Sequence, residues 1–162
     1  VRPQFRGTGL GQALKWAQRD HALQRGLQRI TWTFDPMQAG NAHLNLELLG
    51  ATSRKYLSDF YGVTTSALHH GLPTDRLLAS WELESPRVVA LARGERVARV
   101  GAEARIPIPA SWNELVQRDP QQARTEQQRV GTEMRAAFTR GLLITGFDKF
   151  SASYLLSSGE AK

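Results

Sequence analysis

Three glycines lie within five residues near the start of the chain, at Gly7, Gly9 and Gly11. Glycine allows a backbone to approach a ligand closely and to adopt dihedral angles that other residues avoid. A helical pattern follows at once, and the start of a helix presents unpaired N–H groups and the positive end of its dipole. A glycine-rich loop in front of a helix is therefore a candidate site for phosphate or diphosphate. A plain glycine-rich turn into a helix is the simpler interpretation.

Two nucleotide-binding motifs do not fit these residues. A P-loop requires Lys followed by Ser or Thr after its last glycine, and no such pair follows here. A dinucleotide fingerprint requires a third glycine where Gln12 or Leu14 stands, although Asp35 lies at the end of the next strand like a ribose-binding acid. The spacing that remains is R-x-x-G-x-G, formed by Arg6, Gly9 and Gly11.

Hydrophobic spacing predicts the elements that must position this loop. Apolar residues recur every three or four positions after it and predict a helix that ends at Gly26. Lys15 and Arg19 are expected on its solvent side. Residues 28–34 alternate and predict a strand. The apolar side of the helix is predicted to carry Leu10, Leu14, Ala17 and Leu23, and that of the strand Ile30, Trp32 and Phe34.

A second, shorter helix is predicted after the strand. Asp35-Pro36 marks a turn, and Asn41 is expected to cap a helix over residues 42–49. Gly50 is expected to end this helix, and Ala51 to begin the next extended segment.

These motifs together resemble the acyl-CoA-binding part of the GNAT (Gcn5-related N-acetyltransferase) superfamily. The resemblance rests on the R-x-x-G-x-G loop, on Asn-Ala-x-x-Asn from Asn41 and on Leu-Gly-Ala at 49–51, and it covers residues 1–89. The segments TFDP, NAHLNLELLGA and GLPTDRLLASWELESPRV look like a poorly characterised bacterial branch of predicted acyltransferases. The resemblance implies the C-terminal half of a GNAT mixed sheet with flanking helices. The first half is then expected to be missing: the chain is a fragment, its first half is another polypeptide, or the gene start is misassigned.

The resemblance implies acetyl-CoA, or another acyl-CoA such as succinyl-CoA, as the co-substrate. Backbone N–H groups of the loop would hold the diphosphate, and Arg6 would add a charge-assisted contact or brace the loop. Asn41 and Asn45, one turn apart, would contact the pantetheine side, unless Asn41 is a plain helix cap. The implied cofactor-binding residues are Val1, Arg6, Gly7, Thr8, Gly9, Leu10, Gly11, Asn41 and Asn45.

The sequence departs from the family at the position of its catalytic acid. Many GNAT enzymes have a Tyr four residues before the Gly of the short helix, and Leu46 stands there. Leu cannot transfer a proton, so no catalytic residue is assigned. Two functions remain open: a CoA-dependent N-acyltransferase, and a non-catalytic acyl-CoA-binding or scaffolding module. Tyr56 and Tyr61 are expected to pack, His43 to face solvent, and His69-His70 to bind no metal.

The second half of the chain predicts an α+β extension without a chemical motif, so the domains are placed at 1–86 and 87–162. Residues 76–83 predict a strand, 88–100 a hairpin around 93–95, and 104–109 an edge segment. Ser111 and Glu114 form a capping box, and Asp119-Pro120 begins a helix that Gly141 ends. Strands are expected at 142–147 and 153–156. The extension is a candidate homodimer interface, a cover for the acceptor site or a completion of the sheet, and packing is the simplest role.

Composition excludes several classes of chemistry and favours a cytoplasmic protein. The absence of Cys rules out disulfides, thiolate metal sites and a Cys nucleophile, and no apolar run is long enough to span a membrane. The net charge of +6 comes from arginines interleaved with acids, which favours a solvated surface over a nucleic-acid face. A metal is not expected, and the expected acceptor is a small-molecule amine or amino acid. The arginine-rich stretch contains Arg87, Arg93, Arg96, Arg99 and Arg105.

Overall fold

Six strands form one sheet in the part of the chain that this computed structural model describes, residues 9–62, 71–99 and 101–158. The strands are β1 (Arg29–Phe34), β2 (Thr52–Leu57), β3 (Arg76–Glu82), β4 (Ala104–Pro107), β5 (Leu142–Asp148) and β6 (Ser153–Ser158). Their order is β1-β3-β2-β5-β6-β4, and every neighbouring pair is antiparallel. The α+β class is confirmed. The mixed sheet is not found, because the described strands contain no parallel pair.

Within the described ranges, five helices and one π-helical turn accompany the sheet. The helices are α1 (Leu10–Gln24), α2 (Ala39–Ala42), α3 (Pro86–Ala92), α4 (Trp112–Arg118) and α5 (Pro120–Thr139). The π-helical turn, His43–Leu48, continues α2 directly. None of these helices is both long and apolar enough to cross a membrane.

Helix α1 packs on the sheet through residues that were predicted to face solvent. The Lys15 ammonium lies 3.7 Å above the centre of the Trp32 ring, and Arg19 Nε donates a 2.8 Å hydrogen bond to the Leu83 carbonyl. The side-chain stems of Lys and Arg cover apolar surface while their charged ends reach an aromatic face or an acceptor. The predicted orientation of α1 was therefore wrong, although its extent was right.

Two of the three leucines of α1, Leu10 and Leu14, lie on its outer side instead, whereas Leu23 packs against the core as predicted. Leu10 is 39% exposed and Leu14 is 58% exposed, and Trp16 takes the inner position. The Trp16 ring centre lies 5.4 Å from that of Trp81 in β3. An aromatic contact with the buried Trp81 thus replaces the leucine contacts that spacing alone suggested.

Strands β1 and β3 place alternate apolar residues on one face of the sheet, as their sequence patterns predict. Their register pairs Ile30 with Trp81, Trp32 with Ala79 and Phe34 with Leu77, so the apolar side chains of both strands share one face. Among the described strands, β3 alone pairs with β1, which leaves β1 at one edge of the sheet.

The sheet continues across the predicted boundary at residues 86 and 87. Strands β1, β3 and β2 precede this boundary, and β5, β6 and β4 follow it. The two groups of strands meet at a single register pair, Ser53 with Ile144. The predicted boundary coincides with the start of α3, inside the segment that connects the two groups.

Side chains from the π-helical turn and from α3 reinforce this narrow junction. Glu47 Oε1 accepts a 2.7 Å hydrogen bond from the backbone N–H of Phe147. Arg87 donates from Nη1 to the Thr145 carbonyl at 2.9 Å and from Nη2 to the Leu46 carbonyl at 3.0 Å. Arg87 was predicted to lie in a solvated surface, but its side chain is only 23% exposed. It ties the π-helical turn to β5.

Residues 86–92 form a helix rather than the first strand of the predicted hairpin. Ser85 Oγ accepts a hydrogen bond from Val88 N–H, and Pro86 occupies the first helical turn. A side-chain cap followed by proline is a helix start signal. This start signal outweighed the strand pattern of the short apolar run at 88–91, so the hairpin prediction was wrong. Val100 lies outside the described residues.

The remaining C-terminal elements agree with prediction except at one cap. Asp119 Oδ1 accepts from Gln122 N–H at 2.9 Å at the start of α5, and Gly141, with φ of 84°, follows its end. Ser111 precedes α4, but its side chain makes no capping hydrogen bond, so the predicted capping box is not formed. Strand β4 lies at the other edge of the sheet, as expected.

We predict that Glu47→Ala lowers the free energy of unfolding by about 1–3 kcal/mol, because the N–H of Phe147 loses its acceptor inside the junction. Glu47→Gln keeps an oxygen at that place and loses only the charge beside Arg87 and Arg99, so its cost is about 1 kcal/mol or less. Urea denaturation followed by circular dichroism measures both. Equal losses in the two variants would show that charge, and not the hydrogen bond, holds the junction.

Candidate functional site

The described end of the glycine loop leaves the start of α1 uncapped. Gly9 precedes the helix with φ of 79°, in the left-handed region that favours glycine, and no side chain of the described residues makes a capping hydrogen bond there. Leu10 is exposed and Gly11 is partly buried. The first N–H groups of α1 therefore keep the anion-binding character that the sequence suggested. Val1, Arg6, Gly7 and Thr8 lie outside the described residues.

The start of α1 lies level with the end of β1. Lys15 stacks on Trp32, and Arg19 bonds to Leu83 beside the first residues of β1, so α1 runs antiparallel to this strand. From Lys15 back to Gly9 the helix spans about 9 Å. From Trp32 to Asp35 the strand spans about 10 Å. Gly9 and Asp35 therefore lie at the same end of the sheet.

Asn41 and Asn45 differ in exposure. Asn41 lies inside α2, which begins at Ala39 after Gln38, so it does not cap the helix as predicted, and it is exposed. Asn45 lies in the π-helical turn and is 4% exposed.

No proton donor stands at the position of the family tyrosine. Leu46 is completely buried. Nearby, His43 was predicted to face solvent, but its Nδ1 atom is buried and has no partner among the described residues, and burial lowers its pKa. Tyr61 is exposed and packs edge-on against Phe60. His69 and His70 lie outside the described residues.

A cavity of about 400 Å³ opens where β1 ends and β3 begins. Asp35 directly follows β1, Asp75 and Arg76 stand at the start of β3, and the register of Phe34 with Leu77 brings these two strand ends together. Helix α4 closes one side with Trp112. No sequence motif predicted a site here.

Hydrogen bonds fix Asp75 as a structural carboxylate. Tyr56 Oη donates to Asp75 Oδ2 at 2.6 Å, and Asp59 N–H donates to Asp75 Oδ1 at 2.9 Å. Burial, with the bond to Asp75 as a second cause, raises the pKa of Tyr56 well above its ordinary range. Tyr56 therefore stays protonated and acts as a donor. It packs as predicted, and its hydroxyl also holds Asp75, a residue of the cavity wall.

Asp35 and Gln127 present acceptor atoms that are less fully engaged. Asp35 Oδ1 accepts a 2.8 Å bond from Met37 N–H, and burial raises the pKa of this carboxyl. Gln127, from α5, is 5% exposed and donates from Nε2 to the Pro73 carbonyl at 2.7 Å. Its Oε1 atom is buried and has no partner within the described ranges. Gln127 lines the cavity, but its Oε1 atom is inaccessible to solvent, so Asp35 is the acceptor group that the cavity wall offers beside Asp75.

Sequence signals for this cavity existed but were weak. Asp35 follows a predicted strand, where its position resembles that of the ribose-binding acid in a dinucleotide-binding site. Gln127 interrupts the apolar stripe of α5 between Ala123 and Val130, where a polar residue requires an explanation. Asp35 and Gln127 are far apart along the chain, so no local pattern indicated that both line one cavity.

We predict that Asp35→Asn raises the free energy of unfolding at pH 7. Burial raises the pKa of Asp35 in the folded protein, so ionisation of this carboxyl destabilises the folded state. The stability that the protonated form contributes is fully present below the unfolded-state pKa and is lost as the pH rises through the folded-state pKa. Asn keeps the oxygen that accepts from Met37 and carries no charge. Below about pH 3 both proteins carry a neutral group there, and the difference should vanish. Denaturant titrations across this pH range test the sign, and a variant less stable than the parent at pH 7 would contradict it.

Known proteins provide no further evidence about these features. No protein-family model, no characterised protein and no solved structure matches the chain. Within the described ranges, no group of three or more His, Asp or Glu residues is arranged to hold a metal ion. The candidate site therefore rests on two features at one end of the sheet: the uncapped start of α1 and the cavity beside Asp35.

Proposed function

We propose that the chain binds an acyl-CoA at the start of α1 and acts as a GNAT-type N-acyltransferase. The observation that carries this proposal is the start of α1 behind Gly9, where no described side chain caps the backbone N–H groups that suit a diphosphate. The order of helix, strand, short helix and strand after this point, α1, β1, α2 and β2, is the order that the GNAT resemblance implies, and it supports the proposal. Acetyl-CoA is the default donor, and succinyl-CoA is the alternative.

The reaction is a direct acyl transfer. The neutral nitrogen of an acceptor amine attacks the thioester carbonyl, a C–N bond forms, and the C–S bond breaks to release the CoA thiolate. Water takes one proton from the amine nitrogen, and solvent protonates the thiolate, since Leu46 cannot supply a proton. Holding both reactants in the correct geometry lowers the barrier of such a step by up to about 7–11 kcal/mol.

A non-catalytic acyl-CoA-binding module is the second candidate. The complete burial of Leu46 at the family's acid position favours it, because a binding protein needs no proton donor there. Both candidates require CoA binding at the same loop. They differ only in whether an acceptor amine is consumed.

Isothermal titration with acetyl-CoA tests the binding step through a matched pair of variants. Gly9→Asp places a carboxylate where it can cap the first N–H groups of α1 and repel a diphosphate. We expect at least about tenfold weaker binding, equivalent to 1.4 kcal/mol. Gly26→Asp adds the same charge at a similar backbone conformation, φ of 72° against 79°, at the other end of α1. Neither added Cβ meets another atom within 4 Å.

Three outcomes of this titration would contradict the proposal. They are absence of binding in the parent protein, equal weakening in both variants, and unchanged binding in Gly9→Asp. Salt-sensitive DNA binding without CoA binding would instead support a nucleic-acid partner.

Turnover separates the enzyme from the binding module. We expect CoA thiol release from acetyl-CoA to rise above the background hydrolysis rate when a small primary amine is added, and to fall in Gly9→Asp in proportion to lost binding. Gly26→Asp should retain the parent rate. Saturable CoA binding with no amine-dependent thiol release across a panel of amines would favour the module.

A further inference from the structure

The hairpin turn between β5 and β6 presents one aromatic side chain entirely to solvent. Phe150 is 100% exposed, more than any other large apolar residue in the described ranges. Asp148 fixes the turn, because its Oδ1 accepts from Phe150 N–H at 3.2 Å and its Oδ2 accepts from the Ser151 hydroxyl at 2.9 Å. The Ala152 carbonyl accepts a further bond from Ile108 N–H at 2.8 Å. A braced turn thus holds an apolar ring in water, where burial against a partner would be favourable.

Three cationic side chains lie beside this turn. Lys149 directly precedes Phe150 and is exposed. Arg99 Nη1 lies 3.8 Å from Asp148 Oδ1, and Arg105 Nη1 lies 3.6 Å from Asp148 Oδ2. These distances are longer than hydrogen bonds, and the two arginine side chains are 45% and 60% exposed. Asp148 therefore keeps both guanidinium groups close to the turn while N–H donors remain for an anion outside the protein.

Negative charge near the turn is mostly shielded from solvent. The side chains of Asp148 and Glu47 are each less than one-fifth exposed, and Glu47 already accepts a backbone N–H of β5. Burial, with the charges of Lys149 and Arg99 as further causes, lowers the pKa of the neighbouring His43, so this ring is neutral at pH 7. The exposed surface of the turn is therefore positively charged and attracts an anionic partner.

We propose that the tip of the β5–β6 hairpin docks the protein on a membrane surface that contains anionic lipids. An apolar side chain at the end of a turn can enter the boundary of the acyl chains, while cations beside it remain among the charged headgroups. Single-stranded nucleic acid also carries phosphates, but its binding sites combine a groove with several stacking rings. This turn is convex, and Phe150 is the one aromatic residue in its sequence, 149–152.

Co-sedimentation of the full chain with lipid vesicles tests the inference without CoA. We expect saturable binding to phosphatidylcholine vesicles that contain about one-third phosphatidylserine. Vesicles of phosphatidylcholine alone should bind at least about tenfold more weakly. Added salt should weaken the binding to the anionic vesicles, because the cations of the turn are exposed and are screened by salt. No binding to the anionic vesicles, or equal binding to both compositions, would overturn the proposal.

Two matched pairs of variants locate the docking surface. Phe150→Ala should weaken vesicle binding by about tenfold or more. Phe60→Ala removes a half-exposed ring that follows β2, which runs antiparallel to β5, and should change binding by less than about twofold. Lys149→Gln should weaken binding by about fivefold, and Lys55→Gln, at an exposed position in β2, by less than about twofold. Unchanged binding in Phe150→Ala, or equal weakening in both phenylalanine variants, would overturn the assignment. Circular dichroism reports whether each variant is folded.

A fluorescent oligothymidylate separates a lipid surface from a nucleic-acid partner. We expect the parent protein and Phe150→Ala to have equal affinity for this probe. Weaker oligothymidylate binding in Phe150→Ala, together with no vesicle binding by the parent protein, would assign the turn to nucleic acid and overturn the proposal. Docking on lipid does not rest on the proposed function. Acetyl-CoA affinity should be equal in the parent protein and in Phe150→Ala, so lipid binding and CoA binding can fail separately.

Discussion

The contact between Glu47 and the N–H of Phe147 holds together two halves of a sheet that share only one register pair, Ser53 with Ile144. A junction this narrow provides little strand hydrogen bonding of its own, and side chains from the π-helical turn add to it. Arg87 adds two further bonds to backbone carbonyls on either side. Helix α5 also connects the two halves, since it packs on β2 as well as on β4 and β5 and Gln127 bonds to the Pro73 carbonyl beside the cavity.

The two features at the end of β1 differ in charge. The start of α1 presents backbone N–H groups that no described side chain caps, together with the positive end of a helix dipole. The wall of the cavity carries the carboxylates of Asp35 and Asp75 with the guanidinium of Arg76. The electrostatic potential therefore changes over a short distance at this end of the sheet.

Local sequence signals predicted the extent of most elements but not how they pack. The start of α5 was predictable because Asp119-Pro120 encodes a cap and a first turn, and β3 because its apolar residues alternate. The inner face of α1 was not, because Lys15 contacts the sheet through an aromatic ring that belongs to another element. The cavity was not predicted for the same reason. Only the position of α5 over the end of β1 shows that Gln127 Oε1 is buried without a hydrogen-bond partner among the described residues.

The distribution of tryptophan gives each candidate site its own optical signal. Three of the four tryptophans, Trp16, Trp32 and Trp81, form one cluster between α1 and the sheet, with ring centres 5.4 and 5.9 Å apart. Rings this close couple electronically, so the near-ultraviolet dichroism of the cluster reports how firmly α1 is seated. The fourth, Trp112, lines the cavity far along the sequence from the others. Exchanging Trp112 for Phe would therefore show whether a change in fluorescence arises at the cavity or in the cluster beside α1, without an added label.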